Sequence, residues 1–131
     1  MNKQFLILSS IFGALAVMAG AMLAHQLKHH ITEDVLEIYE TAVRYQFYHV
    51  FALMTAGILS EKFHSAWIHR AGVCFISGIL LFSGSLYIIS AILTTGGSVP
   101  VVLGICTPLG GLGFILGWIF LSVGIWKGRF S

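Results

Sequence analysis

Residues 71–126 read AGVCFISGILLFSGSLYIISAILTTGGSVPVVLGICTPLGGLGFILGWIFLSVGIW and contain no Asp, Glu, Lys, Arg or His. One helical crossing of a bilayer needs about 20 apolar residues, so this stretch has room for two crossings. Over all 131 residues, 57% are hydrophobic and only 9% are charged. A soluble fold of this size cannot bury so much apolar surface. The sequence therefore predicts an integral membrane protein.

Four apolar segments are long enough to cross the membrane, at residues 5–27, 41–60, 67–93 and 107–126. Each must be helical, because a short lipid-exposed segment can satisfy its backbone hydrogen bonds only in a helix. The first segment could be mistaken for a signal peptide, but it is longer than the roughly 7–15 apolar residues of a cleaved one, so we expect it to be retained. We predict an all-α, four-helix transmembrane bundle in a single domain, residues 1–131.

The distribution of basic residues predicts the orientation, because cytoplasmic loops carry an excess of Lys and Arg. With four spans and a cytoplasmic N-terminus, the inner side holds most of them: Lys3, Lys62, Arg70, Lys127 and Arg129. The outer side then holds Lys28 and Arg44. We therefore expect a multi-pass protein of the bacterial plasma membrane with both ends in the cytoplasm. The same topology places three aromatic rings toward the inner interface: Trp67, Trp118 and Trp126.

The two outer connections differ in character. The first, KHHITEDVLEIYE at residues 28–40, repeats apolar residues every three or four positions and has a helix start at Thr32. We predict a short amphipathic helix on the outer surface that continues into the second span. The second connection is rich in Gly and Pro and is expected to be a turn. We expect the fourth helix to begin with Thr107 as N-cap and Pro108 as its first residue.

Small residues repeat along two of the predicted spans. In the first span they are Gly13, Ala16, Gly20 and Ala24, and in the last Gly110, Gly113, Gly117 and Gly124. Such stripes let membrane helices approach closely. They are expected to pack within the chain, and the alternative is a homo-oligomer through the same Gly/Ala faces. Cys74 and Cys106 fall near opposite membrane faces in this topology, too far apart for a disulfide.

A group of polar side chains is expected at one depth near the outer end of the bundle. Its members are His25, Arg44, Tyr45, Gln46, Tyr48, His49, Tyr87 and Thr107. If the last helix starts at Thr107, the free amides near Gly110 and Gly111 add a positive helix end. We predict that this cluster binds an anionic or carbonyl group, such as a lipid headgroup or a quinone-like oxygen. A partner helix is a second possible occupant, and a packing network with a Glu40–Arg44 ion pair is the alternative to binding.

Other functions have weaker support in the sequence. His25, His29 and Glu33 have a usable metal-ligand spacing on a helix, and His25 with His49 could in principle hold haem, so a metal- or haem-dependent redox protein is one alternative. A structural assembly factor is another. No catalytic motif is visible and no acidic residue lies within a span to relay protons, which disfavours an enzyme or a transporter. No basic stripe suggests nucleic-acid binding, and no cofactor is expected.

Four ordered motifs also resemble a known family. They are GAMLAHQLK (20–28), ETAVRYQFYH (40–49), LFSGSLY (81–87) and TPLGGLGFILGW (107–118). They resemble the domain of unknown function 423 family, which includes bacterial inner-membrane proteins and is similar to eukaryotic transmembrane protein 256. The resemblance implies a four-helix integral membrane protein and no particular activity. The family's Gly-Ala-His-Gly at the end of the first helix falls on residues 23–26, where His25 is retained and both glycines are replaced.

Overall fold

The computed structural model describes residues 1–130, which are almost entirely helical. Helix α1 spans Lys3–Met22 and continues as a π-helical turn, Leu23–Leu27. Helix α2 spans Glu33–Lys62, and a two-residue strand β1, Phe63–His64, leads to α3, Ala66–Gly78. A second π-helical turn, Ile79–Ser83, joins α3 to α4, Gly84–Thr94. Helix α5 spans Val101–Lys127, and strand β2, Arg129–Phe130, pairs with β1 in antiparallel register.

Three of these helical segments are long and apolar enough to cross a membrane: Lys3–Leu27, Ala66–Thr94 and Val101–Lys127. Large apolar side chains lie on their surfaces, for example Met18 and Val102, which are 60% and 68% exposed. Such surfaces are stable only against lipid or another apolar partner. The predicted membrane-spanning, all-α class is therefore confirmed for these three segments.

Helix α2 is one unbroken helix of 30 residues, which contains both the predicted amphipathic helix and the span predicted at 41–60 into which it was expected to continue. The predicted start is right, because the Thr32 side chain accepts a hydrogen bond from the amide of Val35. Val35 and Ala42 are buried, so the first turns of α2 pack against the protein. The Tyr39 hydroxyl also donates to the carbonyl of Ala19 in α1, which fixes this segment to its neighbour.

The predicted start of the last helix at Thr107 is wrong. Helix α5 begins six residues earlier at Val101, with Pro100 as N-cap, and Pro108 lies inside it. Pro108 cannot donate to the carbonyl of Gly104, but membrane helices tolerate proline where nearby Ser or Thr side chains bond the backbone, and here the Thr107 hydroxyl donates to the carbonyl of Leu103. The connection from α4 shortens to a tight turn around Gly96, whose positive φ of 76° suits glycine.

Glycines let α3, α4 and α5 pack closely. A Cβ on Gly110 would lie 2.3 Å from the backbone nitrogen of Phe82, and one on Gly117 would lie 2.5 Å from the ring of Phe75. Gly124 faces Ile68 in the same way. The predicted packing role of the α5 glycines therefore holds within one chain, and an oligomer through this face would have to displace these contacts. In α1 the corresponding contacts are looser, and Ala24 is exposed.

Both ends of the described chain lie at the same end of the molecule. The backbone amide of Asn2 donates to the carbonyl of Gly57 near the end of α2, and the Asn2 side chain contacts His69 near the start of α3. At the other terminus, Phe130 pairs with Phe63 in the β1–β2 pair. Helices α1, α2, α3–α4 and α5 therefore alternate in direction.

Candidate functional site

His49 is the most completely bonded polar side chain in the interior. It is 5% exposed, although it lies in the middle of the otherwise apolar part of α2. Its Nδ1 lies 2.7 Å from the carbonyl oxygen of Tyr45, and the indole Nε1 of Trp118 donates to its Nε2 at 3.2 Å. Its ring also stacks on Phe114, with centroids 3.5 Å apart. His49 thus joins α2 to α5.

These partners determine the tautomer of the His49 ring. The indole N–H of Trp118 can only donate, so Nε2 of His49 must be the acceptor. The carbonyl of Tyr45 can only accept, so Nδ1 must carry the proton and donate. His49 is therefore the neutral Nδ1–H imidazole in this structure, and neither ring nitrogen is left for a further ligand.

A groove of about 720 Å³ runs beside this histidine between α2 and α5. Phe82 of the second π-helical turn lies between the two helices, its ring centroid 4.9 Å from that of Tyr45 and 5.5 Å from that of Phe114. Apart from the phenol, indole and imidazole polar atoms, the walls are apolar. The lining consists of Tyr45, His49, Phe82, Pro108, Gly111, Leu112, Phe114, Ile115 and Trp118. The groove can hold an apolar chain.

Polar groups stand next to the Tyr45 end of the groove. Tyr45 and Tyr48 are 38% and 54% exposed, and their rings meet edge to face at 5.8 Å. Arg44 is adjacent to Tyr45 in the chain and is exposed. Within residues 1–130, Arg44 forms no ion pair, so the predicted Glu40–Arg44 pair is not formed. An exposed guanidinium beside two phenols can bind an anionic or hydrogen-bonding group.

A second polar network lies on a neighbouring face of α2. The Tyr87 hydroxyl of α4 donates to Oε1 of Gln46 at 2.6 Å, and Nε2 of Gln46 donates to the carbonyl of Phe12 in α1 at 2.8 Å. Tyr87 also meets Tyr39 edge to face at 5.3 Å. This network joins α1, α2 and α4 through the buried amide of Gln46, whose oxygen and nitrogen are both hydrogen-bonded.

Two serines complete the interhelical bonding. The Ser83 hydroxyl donates to the carbonyl of Ala42 in α2, and the Ser85 and Thr107 hydroxyls lie 2.6 Å apart between α4 and α5. Among the described residues, no buried polar side-chain atom lacks a hydrogen-bond partner. These contacts fix the helices against one another around the groove.

Comparison with known proteins gives the family. The model of the family described as "Protein of unknown function (DUF423)" matches residues 19–111. The chain belongs to this family.

Curated relatives of this DUF423 chain are named as membrane proteins. A UPF0382 membrane protein from Staphylococcus aureus is 41% identical over 125 residues, covering 95% of this chain and 97% of its own. One from Bacillus subtilis is 40% identical over 88 residues, covering 66% and 72%. One from Haemophilus influenzae is 33% identical over 129 residues, covering 98% of each chain. No solved structure matches the chain. Together with its three apolar helices, these relatives establish this DUF423 chain as an integral membrane protein.

The structure divides the predicted site residues among separate places. Tyr45, His49 and Gly111 line the α2–α5 groove; Tyr48 contacts the Tyr45 ring, and Arg44 is exposed next to Tyr45 in the chain. Tyr87 belongs instead to the Gln46 network, and Thr107 to the contact with Ser85. Gly110 is covered by Phe82, and His25 is exposed on the π-helical turn after α1. Because Thr107, Gly110 and Gly111 lie inside α5, the predicted anion site at a helix start is wrong.

Several residues of the groove were missed by the sequence analysis. Trp118 was expected near the inner interface, but it lies nine residues before the end of α5 and bonds to His49. Phe82 and Pro108 gave no polar or charged signal. The only available signal was the four-residue spacing of Tyr45 and His49, which predicted one shared face of α2 but not its neighbour.

The histidine side chains of residues 1–130 do not come together at a shared metal or haem site. Within residues 1–130, no three His, Cys, Asp or Glu side chains come close enough together to hold a metal ion. His49 bonds Trp118, while His25 is exposed on the segment that follows α1, and no contact joins the two. The geometry therefore gives the metal- or haem-dependent alternative no support.

Proposed function

We propose that this DUF423 protein binds one membrane lipid in the α2–α5 groove, with the acyl chain along Phe82 and Leu112 and the headgroup at Arg44. The observation that carries the proposal is the groove itself, an apolar cleft of about 720 Å³ lined by Tyr45, whose chain neighbour Arg44 is exposed and forms no ion pair within residues 1–130. A lipid fits both features, because its apolar chain matches the walls and its phosphate matches a guanidinium.

The depth of Arg44 supports this assignment. Helix α2 is about 45 Å long at 1.5 Å per residue, which exceeds the roughly 30 Å of a hydrocarbon core. About ten residues must therefore lie outside the core. Four acidic residues occupy the first eight positions of α2: Glu33, Asp34, Glu37 and Glu40. Arg44 follows one turn later, at the level where a lipid headgroup meets its chains.

In this proposal α2 is a fourth membrane span, so the protein is a four-helix bundle. Gln46 and His49 lower the hydropathy of α2, yet both are buried and fully bonded within the protein. The side of α2 that faces away from the other helices presents apolar rings and branched chains at helical spacing, including Phe51 and Ile58, which are 60% and 48% exposed. With four spans, the shared position of the two chain ends and the Lys/Arg distribution support a plasma-membrane protein with both ends cytoplasmic.

We propose that the groove binds a lipid without catalysing a reaction. The histidine has no free nitrogen, and the groove contains no acid, thiol or hydroxyl nucleophile other than the phenol of Tyr45. A lipid held in this way would in turn help a partner helix to bind the protein. Binding of that partner is a further part of the same hypothesis.

Native mass spectrometry of the purified protein tests the proposal with a matched pair of variants. Gly111→Leu projects a side chain into the groove, whereas Gly104→Leu on the same helix projects into open space, with no atom within 4 Å of its Cβ position. We expect Gly111→Leu to lose the co-purifying lipid and Gly104→Leu to keep it. Arg44→Gln should weaken retention and Lys28→Gln should not. Equal retention by Gly111→Leu and Gly104→Leu would contradict the proposal.

A further inference from the structure

A concentration of basic side chains lies at the end of the molecule that carries both chain ends. They come from four separate segments: Lys3, Lys62, Arg70, Lys127 and Arg129. All five are exposed. The β1–β2 pair and the Asn2 contacts bring these segments together. We call these five residues the basic collar.

The collar has almost no acidic counterpart. Among the side chains of residues 1–130, the one carboxylate at this end is that of Glu61, which lies 3.9 Å from the N-terminal amine. The other four acidic residues belong to the first turns of α2, at the opposite end. Within residues 1–130, no Lys or Arg of the collar forms a salt bridge. The collar therefore presents uncompensated positive charge.

Arg70 is the member of the collar with the most defined position. Its guanidinium carbon lies 4.6 Å from the ring centroid of Trp67, and that ring packs on Phe120 of α5 with centroids 5.2 Å apart. A cation over an aromatic face is held without a carboxylate. The N–H fork of Arg70 remains available for the paired hydrogen bonds that phosphate accepts.

Exposed aromatic rings at the same end indicate what the collar contacts. Trp126 and Phe130 are 82% and 73% exposed. Aromatic rings beside Lys and Arg are typical of the headgroup region of a bilayer, where the ring enters the apolar layer and the cation stays in the polar one. A soluble acidic partner would leave these rings in water.

We infer that the basic collar is a binding surface for anionic phospholipid headgroups, with Arg70, seated on Trp67, as its best-positioned phosphate contact. The inference does not depend on the lipid proposed for the α2–α5 groove, which lies at the other end of α2. Each Lys or Arg near an anionic membrane surface contributes about 1 kcal/mol, which corresponds to about fivefold in affinity.

The test compares two lipids with the same acyl chains, phosphatidylglycerol and phosphatidylcholine, titrated into the full-length protein and followed by native mass spectrometry. We expect the wild type to prefer phosphatidylglycerol and Arg70→Gln to bind it about fivefold more weakly, with no change for phosphatidylcholine. Arg70→Lys keeps the charge but loses the paired N–H fork, so its affinity should fall between those of the wild type and Arg70→Gln. A double variant, Arg70→Gln with Arg129→Gln, should lose more than the single one.

Lys28→Gln is the matched control, because it removes one exposed cation from the opposite end. We expect it to leave the preference for phosphatidylglycerol unchanged. Equal binding of the two lipids by the wild type would overturn the inference, as would equal losses in Arg70→Gln and Lys28→Gln. The Gly111→Leu variant separates this result from the groove proposal, because filling the groove leaves the collar intact.

Discussion

The indole N–H of Trp118 donates to Nε2 of His49 at 3.2 Å, and this bond connects α5 to α2 across the groove. The stacking of His49 on Phe114 adds a second contact between these helices, whereas α5 packs mainly on α3 and the second π-helical turn. The bond also fixes the protonation pattern of a histidine that is buried in the apolar part of a helix. The bond therefore fixes the distance between the α2 wall and the α5 wall of the groove.

Removing this donor should destabilise the protein. Trp118→Phe keeps an aromatic ring against Phe75 but leaves Nε2 of His49 without its partner. We expect a loss of about 1 kcal/mol, since interhelical hydrogen bonds in membranes average about 0.6 kcal/mol and an unpaired buried acceptor costs more. Thermal unfolding in detergent measures it. Trp126→Phe is the control, because Trp126 is 82% exposed; equal effects of the two variants would disprove the role of the bond.

The Gln46–Tyr87 bond should contribute in the same way on a neighbouring face of α2. Tyr87→Phe removes only the hydroxyl and leaves Oε1 of Gln46 unpaired, so the free energy of unfolding should fall by about 1 kcal/mol. Tyr48→Phe removes an equivalent hydroxyl that is exposed and makes no hydrogen bond to residues 1–130, and it should have no effect. If Tyr87→Phe unfolds at the wild-type midpoint, the network does not stabilise the fold.

Two adjacent glycines in α5 should differ sharply in their tolerance of alanine. A Cβ on Gly110 would meet the backbone of Phe82 at 2.3 Å, whereas one on Gly111 would lie 3.9 Å from the Phe82 ring, an ordinary contact. We expect Gly110→Ala to lower the yield of monodisperse protein and its unfolding midpoint, because α5 must move away from the second π-helical turn. Gly111→Ala should behave as the wild type, and a normal midpoint for Gly110→Ala would show that this contact is not close.

The topology can be tested with single cysteines in a background that lacks Cys74 and Cys106, both of which are free thiols. His30→Cys lies before α2 and Lys62→Cys at its end. If α2 spans the membrane, a membrane-impermeant maleimide should label His30→Cys in intact cells and Lys62→Cys only after lysis. Labelling of both from the same side would show that α2 does not cross.

Sequence reasoning predicted the parts of the fold that depend on apolar length. The first and third spans were located within a few residues, and the glycines of α5 were correctly assigned to packing. It failed at Thr107 and Pro108, because these residues suit a helix start yet are also tolerated inside a membrane helix, where Ser85 bonds the threonine.

The candidate site was only partly predictable, for a physical reason. Helical spacing shows which residues of α2 share a face, and it correctly paired Tyr45 with His49. It does not show which helix faces them. Tyr87 and His49 were expected together at one depth, but they contact different partners, Gln46 and Trp118, on two sides of α2.

The central claim is that the α2–α5 groove holds a bound lipid, and photocrosslinking in native membranes tests it most directly. A diazirine amino acid at position 112 would lie in the groove, whereas one at position 109 would lie on the same helix outside it; Leu112 and Leu109 are similarly exposed, at 55% and 51%. We predict that position 112 captures one lipid species well above its share of the membrane, while position 109 captures lipids in bulk proportion. The same bulk composition at both positions would contradict the claim.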